Sequence, residues 1–117
     1  MKRILVVEDE APIARIIRHN LERQGYEVTV AEDGEAALSA VAAGLPDLVI
    51  LDLLLPQHDG WALAERLRRS EATASVPILM LSIIADRERG LAAGATEYMT
   101  KPFAVTDLVD RVRRLLA

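Results

Sequence analysis

The chain has 117 residues, just over half of them apolar, which suffices for one compact domain with its own core and leaves no room for a second. A net charge of -4 argues against a surface built to grip nucleic-acid phosphates, and the absence of cysteine removes disulfides, zinc-thiolate centres and thiol catalysis. No apolar run has bilayer length, and the start MKRILVV breaks at Glu8-Asp9-Glu10, too early for a signal peptide, so the expectation is a cytoplasmic protein with no membrane contact and no direct nucleic-acid binding.

Short apolar runs alternate with segments of helical period. Arg3 to Val7 reads as a first strand. Pro12 opens a helix whose apolar positions Ile13, Ile16, Ile17 and Leu21 are predicted to share one face, and Gly25 closes it. Glu27 to Ala31 alternates like a peripheral strand, Asp33-Gly34 is read as a turn, and Glu35 to Ala43 is an Ala-rich helix ending before Gly44 and Pro46. The run DLVILDLLLP carries a third strand, apolar on both sides as expected of a strand buried on both faces, yet interrupted by Asp52. An unpaired carboxylate in such a strand is costly to desolvate, so its presence needs a reason.

Pro56 and Asp59-Gly60 follow as turn signals, and Trp61 to Arg69 is predicted helical with Leu63 and Leu67 facing inward. Val76 to Leu81 (VPILML) is a fourth buried strand and Asp86 to Ala93 a short helix. A brief strand lies around Tyr98 and Met99, and Val105, Leu108, Val109, Val112, Leu115 and Leu116 trace the stripe of a last amphipathic helix. Strict alternation of strand and helix implies an α/β fold, a (βα)5 doubly wound five-stranded parallel sheet with helices on both faces. In the flavodoxin-like strand order 2-1-3-4-5, ligands sit at the carboxyl ends of strands one and three.

The polar residues gather at that edge. Strand one ends in Glu8-Asp9, strand three in Asp52, strand four in Ser82, and strand five runs into Lys101-Pro102. Close carboxylates repel and call for a cation, and a hard divalent ion that accepts oxygen ligands, Mg2+ above all, answers that need. A metal beside a nucleophilic carboxylate, with an ammonium and a hydroxyl opposite, suits phosphoryl transfer to an aspartyl phosphate. All the basic residues except Lys2 and Lys101 are arginines, and a compact ammonium makes a point contact where a guanidinium fork would not fit.

Taken singly, these residues have ordinary explanations. The Glu8-Asp9-Glu10 acids could serve the N-terminus of the first helix, Asp52 a turn, Ser82 a solvated loop, Lys101 the surface and Tyr98 the core. Two acid clusters arriving together at the switch point outweigh them. The Lys101-Pro102 step is a candidate for a cis peptide. His19 is expected to face solvent, His58 has no second zinc ligand at a suitable spacing, and Trp61 is expected to cover the rim of the sheet.

The motifs VVEDE, LVILDLLLP-x-x-DG, LMLS and GATEYMTKPF, in this order over residues 1-117, resemble the receiver domain of two-component response regulators. The resemblance implies that Asp52 accepts a phosphoryl group from a sensor histidine kinase or a histidine phosphotransfer protein. It implies that Asp9, Asp52 and the backbone carbonyl of Leu54 hold Mg2+, with Glu8 acting mostly through bound water. Ser82 and Lys101 would contact the phosphoryl oxygens, and Tyr98 would be the switch aromatic, turning inward as Ser82 moves. Helix four, strand five and helix five would form the output surface.

Two features depart from the family pattern. Ile83 stands where members carry a small residue, and the segment from Ser82 to Tyr98 is about three residues short, which predicts a short or displaced fourth helix. The pattern SI-x-x-D-x-E-R-G resembles receivers of hybrid sensor kinases and multi-domain regulators. The alternative is a Mg2+-dependent phosphatase with an aspartate nucleophile; phosphatases of the haloacid-dehalogenase type place a second aspartate where this chain has Leu54. A flavodoxin-like ligand binder fits less well, because the loop EDEAP has no glycine to cradle a phosphate.

Overall fold

The computed structural model describes residues 1–54, 60–83 and 86–117; Pro56, His58, Asp59 and Ile84 lie outside the described residues. The elements alternate as β1 (Arg3–Val7), α1 (Ala11–Arg23), β2 (Glu27–Ala31), α2 (Gly34–Ala43), β3 (Leu48–Asp52), α3 (Gly60–Arg69), β4 (Ile78–Ser82), α4 (Arg87–Ala92), β5 (Glu97–Thr100) and α5 (Val105–Leu115). The strands form one parallel sheet in the order β2-β1-β3-β4-β5.

The period of two in the strands divides the core between the faces of the sheet. Leu5, Val7, Val49, Leu51, Ile78 and Met80 pack with Ala37 of α2 and with Leu63, Ala64 and Leu67 of α3. Ile4, Val6, Leu48, Ile50, Leu79 and Leu81 pack on the other side with Ile17 and Leu21 of α1 and Leu108 and Val112 of α5. Every residue of β3 and β4 is buried, which is why both read as near-continuous apolar runs.

Local signals set the helix ends. Gly25 and Gly94 take positive φ values of 93° and 114°, where a side chain would be strained. Asp33 is no plain turn residue: it caps α2, its Oδ1 accepting from the Ala36 amide at 2.8 Å, and Gly34 already belongs to the helix. Asp86 caps α4 in the same way through the Arg89 amide at 3.1 Å.

Two expectations shift and a third holds. The buried stripe of α1 is Ala14, Ile17 and Leu21, while Ile16 is 49% exposed; one step from Ile17 is about 100° around the helix, which turns Ile16 off the sheet. β4 begins at Ile78 rather than Val76, because Pro77 has no N–H for the ladder; its carbonyl accepts from Val49 instead. α4 is the short helix predicted, six residues long.

Candidate functional site

The strand register brings the chemistry to one edge. Val7 of β1 lies beside Leu51, so Glu8 and Asp52, one step further along their strands, end side by side. Asp52 pairs with Leu81 and Ser82 with Thr100, which places Lys101 next. Two backbone bonds extend the edge past the strands: the Glu8 amide donates to Ala31 and the Lys101 amide to Ser82, at 3.0 and 2.8 Å. The Lys101-Pro102 peptide is cis.

Lys101 stands inside the acids. Its Nζ lies 2.6 Å from Glu8 Oε1, 3.2 Å from Asp52 Oδ2 and 3.8 Å from Glu10 Oε1. Glu8, Asp52 and the lysine side chain are all buried, whereas Asp9 and Glu10 are exposed at the rim. One carboxylate oxygen from each of Glu8, Asp9, Glu10 and Asp52 lies within 4.8 Å of the others. Asp52 Oδ1 accepts from the Leu54 amide at 3.1 Å, and Glu8 Oε2 from the Glu10 amide at 3.3 Å.

The electrostatics follow from burial and from the surplus of acids. Burial pushes the Glu8 carboxyl up to about 7; the Lys101 bond pulls it down, and the neighbouring Asp52 pushes it further up. Burial works against the Lys101 charge as well, yet the bond to Glu8 and the fields of Asp52 and Glu8 prevail and raise its pKa. One ammonium cannot neutralise the cluster, so room remains for a further positive charge. The donors are hard oxygens, the set that Mg2+ and similar ions accept.

Glu10, at the cap position of α1, does not cap the helix through its side chain, and its carboxylate joins the cluster instead. Glu10 is the residue that sequence reasoning left out of the site; the signal was the third acid of EDE. Ser82 is fully buried rather than solvated, and Lys101 is no surface charge. Tyr98 is 5% exposed, already enclosed, and the missing side chain of Gly90 makes space for its ring: a Cβ there would overlap it. Leu54 and Ile83 project outward, 49% and 65% exposed. His19 is exposed, and Trp61 is buried at 8%.

A family model for the response regulator receiver domain matches residues 4–113. The chain is 44% identical to the DNA-binding dual master transcriptional regulator RpaA of Synechocystis, an alignment covering 99% of this chain and 49% of that protein. It is 42% identical to the phosphate regulon transcriptional regulatory protein PhoB of Pseudomonas aeruginosa, over 98% of this chain and 52% of that one. It spans about half the length of the curated relatives it matches. Among solved structures, the chemotaxis response regulator CheY4 of Vibrio cholerae superposes with a TM-score of 0.93 at 32% identity, over 99% of each chain.

Proposed function

The chain belongs to the response regulator receiver domain family, and from that membership we propose that Asp52 is the phosphoacceptor of a phosphorylation-controlled signalling domain. The observation that carries this reading is the buried carboxylate of Asp52, with Oδ2 3.2 Å from Lys101 Nζ at the rim where three other acids gather. An Asp52 oxygen forms a bond to phosphorus while the bond from phosphorus to the donor's nitrogen or acyl oxygen breaks. The donor keeps that electron pair. Lys101 takes a phosphoryl oxygen in place of its carboxylate partner, and Ser82 supplies a hydroxyl from the adjacent strand end. Catalysis by such groups is mainly positioning and charge neutralisation.

Asp9, Asp52 and the Leu54 carbonyl would hold Mg2+, with Glu8 and Glu10 around it; the bound ion would offset negative charge on the phosphoryl oxygens. The crowding of four carboxylates supports this assignment. The donor is a sensor histidine kinase or a histidine phosphotransfer protein. Tyr98 is the switch residue and α4, β5 and α5 the output surface, a reading supported by the close packing of Tyr98 against Gly90 of α4. The relatives are regulators, and the phosphatase alternative is not favoured: Leu54, where such an enzyme needs a second aspartate, is aliphatic and half exposed.

Incubation with a small acyl phosphate and Mg2+, followed by intact-mass measurement and peptide mapping, tests the acceptor. One added phosphoryl group on Asp52 is expected, and none on Asp52→Asn. Full labelling of Asp52→Asn, or a label on another residue, overturns the assignment.

A further inference from the structure

Two chain segments leave the site, one after Asp52 and one after Ser82, and each leads to a helix. α3 is braced directly on the first. The Gly60 amide donates to the Leu53 carbonyl at 2.9 Å, and a Cβ on Gly60 would meet Leu53 Cα at 2.5 Å and the Asp52 carbonyl at 2.7 Å. Trp61, the next residue, is therefore indexed to the backbone of Asp52 and packs in the core beside β3. α4 follows the second segment. A helix of six residues has little stability of its own and depends on what it touches.

Its contacts lie on two sides. Gly90 sits against the Tyr98 ring and Met80 Sδ, and the guanidinium of Arg89 lies over the Trp61 ring, 4.4 Å from its centroid. A guanidinium at that distance is attracted by the ring face. Arg89 thus ties α4 to α3, and through Trp61 and Gly60 to the Asp52 strand end, by a route that bypasses Ser82 and Tyr98.

We propose that the Trp61–Arg89 contact is a strap that transmits the state of Asp52 to α4. This rests on Asp52 being the phosphoacceptor. A phosphoryl group on Asp52 acts on the Leu53 backbone against which Gly60 is packed. Trp61 moves with it, and Arg89 carries the movement into α4 and so into the wall around Tyr98. Arg89 is a positioning residue: it touches neither Asp52 nor any of its partners among the described residues.

The domain itself supplies the test, because Trp61 is its single tryptophan. Wild type, Arg89→Ala and Arg89→Lys are treated with a small acyl phosphate and Mg2+. Labelling is read by mass, the strap by Trp61 emission, and α4 by hydrogen exchange of amides 87–92. In wild type and Arg89→Lys, which keeps a cation over the ring, labelling is expected to change both Trp61 emission and α4 exchange. In Arg89→Ala the label reaches the same stoichiometry, α4 exchanges about threefold faster before labelling, and its response to the label is lost. A labelled Arg89→Ala whose α4 responds as wild type does overturns the strap while leaving the acceptor intact. Failure of wild type to take the label overturns the acceptor and the strap with it.

Discussion

The sheet holds a part-buried cation at each end, and the two are satisfied in opposite ways. At the amino end, Arg68 of α3 donates from Nε to the Gly94 carbonyl at 2.9 Å, from Nη1 to the carbonyls of Val76, Thr73 and Ala74 at 2.6, 3.2 and 3.2 Å, and from Nη2 to Thr96 Oγ1 at 3.4 Å. All of these acceptors are neutral. Burial lowers the Arg68 pKa, and the guanidinium spreads its N–H groups over four loop carbonyls and one hydroxyl, two of which, the Thr73 carbonyl and Thr96 Oγ1, also accept from the Val76 and Ile78 amides. At the carboxyl end, Lys101 meets charges, and more of them than it can neutralise. The first arrangement fastens α3 to the turns around β4 and β5. The second stays electrostatically incomplete, as the proposed binding of a cation and of an incoming anionic group at that edge would require.

Breaking the amino-end cation should have the largest effect on stability. Arg68→Ala leaves several acceptors to water or to nothing and is expected to cost about 2 kcal/mol in denaturant unfolding, with Asp52 labelling unchanged. A loss of labelling at equal stability would mean that the two ends are not separable.

The second effect distinguishes the ends by pH. The folded-state pKa of Glu8, about 7, lies above its unfolded value of 4.5, so the folded state binds the extra proton between them. In chelator-treated buffer, the contribution of Glu8 to stability is therefore fully present below about pH 4.5 and is lost as the pH rises through 7, an effect on the order of 1 to 2 kcal/mol. Glu8→Gln should flatten that slope. Arg68→Ala should leave it in place, because nothing around Arg68 titrates there.

Added Mg2+ should recover much of this loss. At ten times its dissociation constant it stabilises by about 1.4 kcal/mol, read as a shift in the thermal midpoint, and Asp52→Asn should blunt the shift. That same substitution should raise metal-free stability by about 1 kcal/mol, since it removes one like charge at nearly constant volume. A destabilised Asp52→Asn would show that the Lys101 pairing outweighs the repulsion.

The smallest effect concerns the lifetime of the phosphoryl group. Leu54 is exposed beside Asp52 and cannot orient an attacking water, so release of phosphate from labelled wild type should be a few-fold slower than from Leu54→Asn under saturating Mg2+. Equal rates after donor removal would exclude control at this position.

The carboxyl end was the more legible of the two from sequence. Asp52 interrupts LVIL, Glu8-Asp9 ends VV, and strand alternation alone carries them to one edge. Glu10 was harder to place, because its direction depends on the turn into α1 that brings its amide onto Glu8. Ile16 was misplaced because a stripe drawn through large apolar residues passes over Ala14, whose small side chain marks where α1 comes close to the sheet. Arg68 could not be found at all. Its partners are mostly main-chain carbonyls, and every residue type has one.

The bond from the Lys101 amide to the Ser82 carbonyl has an evolutionary consequence. The spacing between hydroxyl and ammonium is set by two neighbouring strands in register, whatever the length of chain that connects them. Residues can be lost or gained between Ser82 and Tyr98, as the short α4 of this chain illustrates, without displacing either group from Asp52. α4 is then free to diversify while the strand ends beneath it keep their geometry, so one edge of one sheet tolerates many lengths and sequences of the helix above it.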